Sequence, residues 1–131
     1  MRYNILFFVV LSYLVNGCNE GQNPADNSNT DSVVILPAKH DLGKIDSTRI
    51  VALSFEIVNK SDNDVKIVSK AKSCGCTNFV LPSDKLKAKS RMKVKVDFDP
   101  KQVSGNFEKS VFFRLENGKI LMFKFSGTVI V

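Results

Sequence analysis

Two cysteines, Cys74 and Cys76, stand one residue apart in the stretch Ser73-Cys74-Gly75-Cys76-Thr77. Three kinds of chemistry fit such a pair. The first is a disulfide that pins a turn. It needs Cα atoms roughly 4.4–6.8 Å apart, and Gly75 lets the backbone bend enough to reach that. So small a loop contributes little to global stability, because the entropic gain grows with loop length; its role would be to orient the turn. The second is exchange with other thiols, which needs a depressed thiol pKa. Lys70 and Lys72 could supply positive charge nearby, although the helical Cys-x-x-Cys arrangement is missing. The third is a soft metal such as Cu(I) or Zn(II) held by two thiolates. Zinc wants four ligands, and the one histidine, His40, is not placed near the pair by anything in the sequence. All three readings stand at this level.

A second pattern follows. Lys85, Lys87, Lys89, Arg91, Lys93 and Lys95 alternate with Leu86, Ala88, Ser90, Met92, Val94 and Val96. If the segment is extended throughout, residues two apart share a face and six cations line one side at ~7 Å intervals. Such a row is either a solvated outer face, a guard on an edge strand, or a strip for an anionic polymer such as an acidic glycan. No aromatic residue interleaves it, so base stacking, and with it nucleic acid as a partner, is not expected.

Catalytic and cofactor motifs are missing from the sequence: there is no nucleophile elbow, phosphate loop or paired-histidine metal motif. Asp97 and Asp99 share a face but precede Pro100, and they read as the end of a strand. No cofactor is expected, and the chain does not read as an enzyme.

The elements that must carry these residues are strands. Val33-Val34-Ile35-Leu36 is an apolar run closed by Pro37. Val51, Leu53, Phe55 and Ile57 alternate with smaller or polar residues, the period of a half-buried strand. Val65–Ser69, Phe79–Leu81, Lys89–Phe98, Phe107–Glu116 and Lys119–Val131 follow, separated by turn residues. Lys119–Val131 is apolar on both faces around Ile120-Leu121-Met122-Phe123, which suits a central position. Asn117-Gly118 reads as a type I′ hairpin turn. About seven short strands in some hundred residues predict an all-β, immunoglobulin-like sandwich, with a small barrel as the alternative. The immunoglobulin hallmark of two distant cysteines on a tryptophan is absent, since there is no tryptophan.

The first 32 residues differ from the rest. Ile5 to Leu14 is an apolar run of about 10 residues, half of what a membrane-spanning helix needs, preceded by Arg2. It matches the core of a secretory signal peptide. It ends at Val15-Asn16-Gly17-Cys18, which resembles the bacterial lipobox, with Asn16 departing from the usual small residue. The resemblance implies cleavage before Cys18 and acylation of its thiol, which turns a soluble protein into an anchored one. Residues 19–32 are rich in Asn, Asp, Ser and Gly and carry Glu20, Asp26 and Asp31 with no base. Their composition predicts a flexible tether. The remainder holds 18 basic and 10 acidic residues, so an anionic partner suits its charge. The expected organisation is a signal peptide over 1–17, a lipidated tether over 18–32 and one folded domain over 33–131.

The folded part also resembles a known family. Asp41-Leu42-Gly43-Lys44-Ile45, Phe55-Glu56-Ile57-Val58-Asn59, Ser73-Cys74-Gly75-Cys76-Thr77, Val96-Asp97-Phe98-Asp99-Pro100, Gly105-Asn106-Phe107 and Phe125-Ser126-Gly127-Thr128-Val129 are similar to the bacterial domain-of-unknown-function family numbered 1573. Leu42 stands where that family usually has an aromatic residue. The resemblance implies an immunoglobulin-like fold in a Gram-negative lipoprotein or secreted protein, and no activity. The expectation is therefore a cell-envelope module, lipid-anchored to the outer membrane, that works by contact with an unidentified protein or anionic glycan. The rival is a thiol-exchange or soft-metal protein working through Cys74 and Cys76.

Overall fold

A computed structural model describes residues 32–131. The expected leader, Cys18 and nearly all of the tether lie outside the described residues. Nine strands are present among those described: β1 (Val33–Leu36), β2 (Lys39–Asp46), β3 (Val51–Asn59), β4 (Val65–Lys72), β5 (Thr77–Val80), β6 (Lys85–Leu86), β7 (Arg91–Phe98), β8 (Gly105–Leu115) and β9 (Ile120–Ile130). They form two sheets, in the orders β1-β3-β7-β5 and β2-β9-β8-β4-β6. The result is the expected sandwich.

Alternation explains most of it. On β7, Met92, Val94, Val96 and Phe98 are buried while the residues between them are exposed. Leu53, Phe55 and Ile57 of β3 are buried with half-buried Ser54 and Glu56 between them, and Val111, Phe113 and Leu115 of β8 face them from the other sheet. Phenylalanine fills the space between: Phe55 stacks on Phe123 with centroids 4.4 Å apart, and Phe98 meets Phe107 at 4.8 Å. Aromatic pairs at such offsets add to the area they bury.

Two strands go beyond the seven expected. β6 has only two residues, and β2 lacks apolar alternation because it is an exposed edge strand. β2 runs parallel to β9, with a bulge between Asp41 and Lys44. At its bulge Gly43 takes a positive φ of 64°, and Asp41 Oδ1 accepts its N–H at 2.8 Å. The chain passes from the first sheet to the second at Pro37, after a cis Leu36–Pro37 bond.

The β8–β9 turn departs from the type I′ expectation. Leu115 N–H donates to Lys119 C=O at 2.8 Å and Gly118 N–H to Leu115 C=O at 2.9 Å, which encloses a three-residue loop. Gly118 has φ 89°, whereas Asn117 has no positive φ. Gly118 therefore serves as the left-handed residue that closes a three-residue hairpin. Asn117 acts through its side chain, whose Oδ1 accepts from Lys119 N–H.

Candidate functional site

Cys74 and Cys76 are joined as a disulfide with Cα atoms 5.2 Å apart. They sit in the turn between β4 and β5, where the chain changes sheet. The turn is tied on both sides. Ser73 N–H donates to Ser110 C=O, and Ser110 N–H donates to Ser73 Oγ, both at 2.9 Å. On the other sheet Asp99 N–H donates to Cys76 C=O at 2.8 Å. Within the turn Cys76 N–H points at Cys74 Sγ, 2.9 Å away. The disulfide thus holds a crossover whose flanks are already bonded to β8 and to the end of β7.

Beside it lies a depression of about 440 Å³ lined by the turn, Asn78, Asp99, Lys101, Gln102, Val103 and Lys109. Asp99 caps a short 3-10 turn over Pro100–Gln102 by accepting from Lys101 N–H, and so has the strand-ending role read from the sequence. Among the described residues neither Lys101 nor Lys109 makes an ion pair. Lys70 and Lys72 point elsewhere: Lys72 Nζ donates to Asn78 Oδ1 at 3.0 Å, and Lys70 Nζ lies 5.9 Å from the centre of the Phe79 ring. His40 is on β2, separated from β4 by β9 and β8. Among the described residues no three His, Cys, Asp or Glu side chains converge as metal ligands.

The six cations do not form one row. Lys85 belongs to β6 at the edge of the second sheet, while Arg91, Lys93 and Lys95 lie on β7 inside the first. Between them the chain turns, with Lys89 at φ 56°, so the segment is not extended throughout. Three of the six are paired: Lys85 with Asp64 at 3.3 Å, Lys89 with Asp62 at 3.5 Å and Arg91 with Glu56 at 3.3 Å. Lys93 and Lys95 remain on an exposed face across from Glu56 and Ser54, and Lys87 lies in the turn. The guard reading fits Lys85 alone, because β7 is an interior strand.

The sequence reading passed over an apolar patch. β9 is central, between β2 and β8, as its two apolar faces suggested. Its outer face is nevertheless uncovered: Ile120 is 58% and Met122 41% exposed. Half-buried Phe112 stands directly opposite Met122, with Ala71 beyond it, and a shallow groove joins Ile120 and Met122 to Leu36, which is 48% exposed. The signal was present in the two-faced apolar run, which implies cover on both faces. The described residues supply cover on only one.

A family model described as "Protein of unknown function (DUF1573)" matches residues 34–129. No curated protein matches the chain. Among solved structures, a protein of unknown function from Porphyromonas gingivalis W83 superposes with a TM-score of 0.65 at 12% identity, covering 73% of this chain and 46% of that one. The chain thus spans under half of that protein. PapD-like domain 7 of human CEP192 gives 0.61 at 15% identity, covering 76% and 85%. The periplasmic chaperone SfaE gives 0.56 at 7%, covering 76% and 57%. At these identities the likeness shows the fold.

Proposed function

The chain belongs to that family of unknown function, and from this premise we propose that it is a lipid-anchored module of the cell envelope, held in the outer membrane through acylated Cys18, that acts by contact with a partner protein. The observation that carries the contact reading is the patch of Ile120, Met122, Leu36 and Phe112, which no described residue covers on the outer side of β9. Contiguous apolar surface of this kind marks interaction sites. The lipobox-like Val15-Asn16-Gly17-Cys18 supports the anchor. An anionic glycan on Lys93 and Lys95 is less favoured, because the expected row of six cations is divided between two sheets and half of it is paired.

The test has two arms. Cys18→Ser should release the protein from the membrane fraction and remove the acyl mass; retention at the original mass would sink the anchor. A photo-reactive residue at position 122 should give protein adducts in intact cells that are lost with Ile120→Lys. Adducts at neither 122 nor 36 would sink the contact reading.

A second reading has its own observation. Cys76 N–H points at Cys74 Sγ, and Lys101 and Lys109 line the depression beside the pair; positive charge and N–H donors near a sulfur favour its thiolate, which governs exchange. Replacing both cysteines by serine should leave partner contact intact under the first reading and abolish function under this one.

A further inference from the structure

We infer that β9 holds an open strand position beside Ile120–Phe123, and that it takes an extended, apolar segment of a partner polypeptide as an added strand. The inference rests on the contact reading and names the form of the partner.

The topology creates the opening. β2 joins the second sheet only at Lys39, level with Lys124, because the preceding residues are in β1 on the other sheet. β9 starts earlier, at Ile120. Its first four residues therefore have β8 on one side and, among the described residues, no hydrogen-bonded strand on the other. Register then decides which backbone groups are left. Leu115 N–H bonds to Lys119 C=O on the β8 side, and Lys124 N–H bonds to Ala38 C=O on the β2 side. Antiparallel bonding alternates along a strand. Leu121 and Phe123 consequently turn their backbone groups to β8, while Ile120 and Met122 turn an N–H and a C=O each to the open side. Those groups have no backbone partner among the described residues.

The opposite mouth of the sandwich provides the contrast. β4 and β5 are also open along most of their length, but Lys70 and Lys72 of β4 stand opposite buried Phe113 and Val111, on the core-facing side. They reach across to Phe79 and Asn78. Core-facing charges on an edge prevent strand addition. At the β9 position the one such charge is Lys119, which precedes the open stretch and has its Nζ bonded to Val33 C=O at 2.9 Å, while Ile120–Phe123 carry none. The position is lined by Val34, Leu36, Ala38, Ile120 and Met122, and its charged lining residues among those described are Lys60 and Lys119.

These features specify the occupant. Donors and acceptors alternating at strand spacing are satisfied by a polypeptide, and side chains at every second residue would cover Ile120 and Met122. Lys119 is already engaged with Val33 C=O, so the charge that an acidic residue at one end of the segment complements is that of Lys60.

The test uses the full chain, acylated and in detergent, with a blocked peptide of sequence Asp-Thr-Val-Thr-Val-Thr as the probe. Binding should be saturable and should slow amide exchange at Ile120 and Met122. Met122→Pro removes the outward N–H without touching the β8 ladder, and Ile120→Lys adds a guarding charge. Each should weaken binding about tenfold or more in a protein whose thermal midpoint stays within a few degrees. Val80→Lys on the β5 edge should change nothing. Replacing the probe's Asp by Lys should weaken binding.

No binding to the wild type, or equal binding by wild type and Met122→Pro, overturns the inference. So does wild-type self-association that Ile120→Lys abolishes, which would assign the position to a second copy. Cellular adducts at position 122 that persist while the peptide fails would overturn the strand inference and leave the contact reading standing.

Discussion

The carbonyl oxygen of Gly43 occupies the space where a side chain on Gly127 would begin: a Cβ at Gly127 would lie 2.7 Å from it and 3.1 Å from the Phe107 ring. The bulge of β2 thus presses directly onto the backbone of β9. The two glycines serve different needs. Gly127 yields room, whereas Gly43 adopts a positive φ with open space around it. Gly127→Ala should destabilise the domain by about 1–3 kcal/mol through overpacking against backbone. Gly43→Ala should cost about 1 kcal/mol, from left-handed strain alone. Urea denaturation of the two variants checks the order, and a larger loss for Gly43→Ala would contradict this account.

Asn59 is the buried polar hub of the opposite end, at 1% exposure. Its side-chain N–H groups are shared among the carbonyls of Asn63, Leu86 and Lys87, and its Oδ1 accepts from Ser61 N–H and Oγ. One side chain therefore joins the end of β3 to the segment that switches sheets after β6. Asn59→Ala should cost about 2–3 kcal/mol, because buried carbonyls lose their donors. Asn59→Asp should cost more, since it sets a carboxylate against the same three carbonyls. Denaturant midpoints would decide; an Asp variant as stable as wild type would refute the hub.

Much of this could be read from the sequence where apolar residues alternate. Val94, Val96 and Phe98 announce β7 because one face is buried and the other wet. β2 is not announced, since nearly all of Lys39–Asp46 is exposed and its pairing is set by β9, which no local pattern reveals. The cation row looked continuous because alternation carries through Lys87-Ala88-Lys89, where the chain in fact turns and changes sheet. That Cys74 and Cys76 lie close enough to bond across a turn was legible, but the two anchors of that turn, Ser110 and Asp99, are distant in sequence. Ile120 and Met122 were legible as apolar and misleading as buried: a sequence shows what a residue prefers, not whether the topology brings cover to it.

Acid should loosen the loop side of the domain. Asp64 accepts from Ala88 N–H at 2.9 Å and pairs with Lys85, and these hold its carboxyl below the ordinary 3.8. Asp46, bonded to Thr48, and Glu108, bonded to Lys124, are lowered in the same direction. A depressed carboxylate contributes stability that is fully present above its unfolded value and is lost as pH falls through the folded one. The thermal midpoint of Asp64→Asn should therefore lie below wild type at neutral pH, and the two should converge as pH drops below 3.8. A gap that stays constant down to about pH 2 would mean the carboxylate charge plays no part.

The disulfide gives the prediction closest to function. Its loop is three residues, for which chain entropy supplies about 1.5 kcal/mol, half of what a fifteen-residue loop yields. The backbone bonds from Ser73 and Cys76 to Ser110 and Asp99 remain without it. Cys74→Ser with Cys76→Ser should accordingly lower stability by only about 1–2 kcal/mol and keep the fold. Alkylation of the native protein without reductant, followed by intact mass and titration in glutathione buffers, then separates the two functional readings. A bond that resists reduction to below about −300 mV is a clip for the turn and favours the contact module. A bond that opens near about −200 mV, or a pair found as free thiols, gives Cys74 an exchangeable sulfur beside Lys101 and Lys109 and moves the function to thiol chemistry.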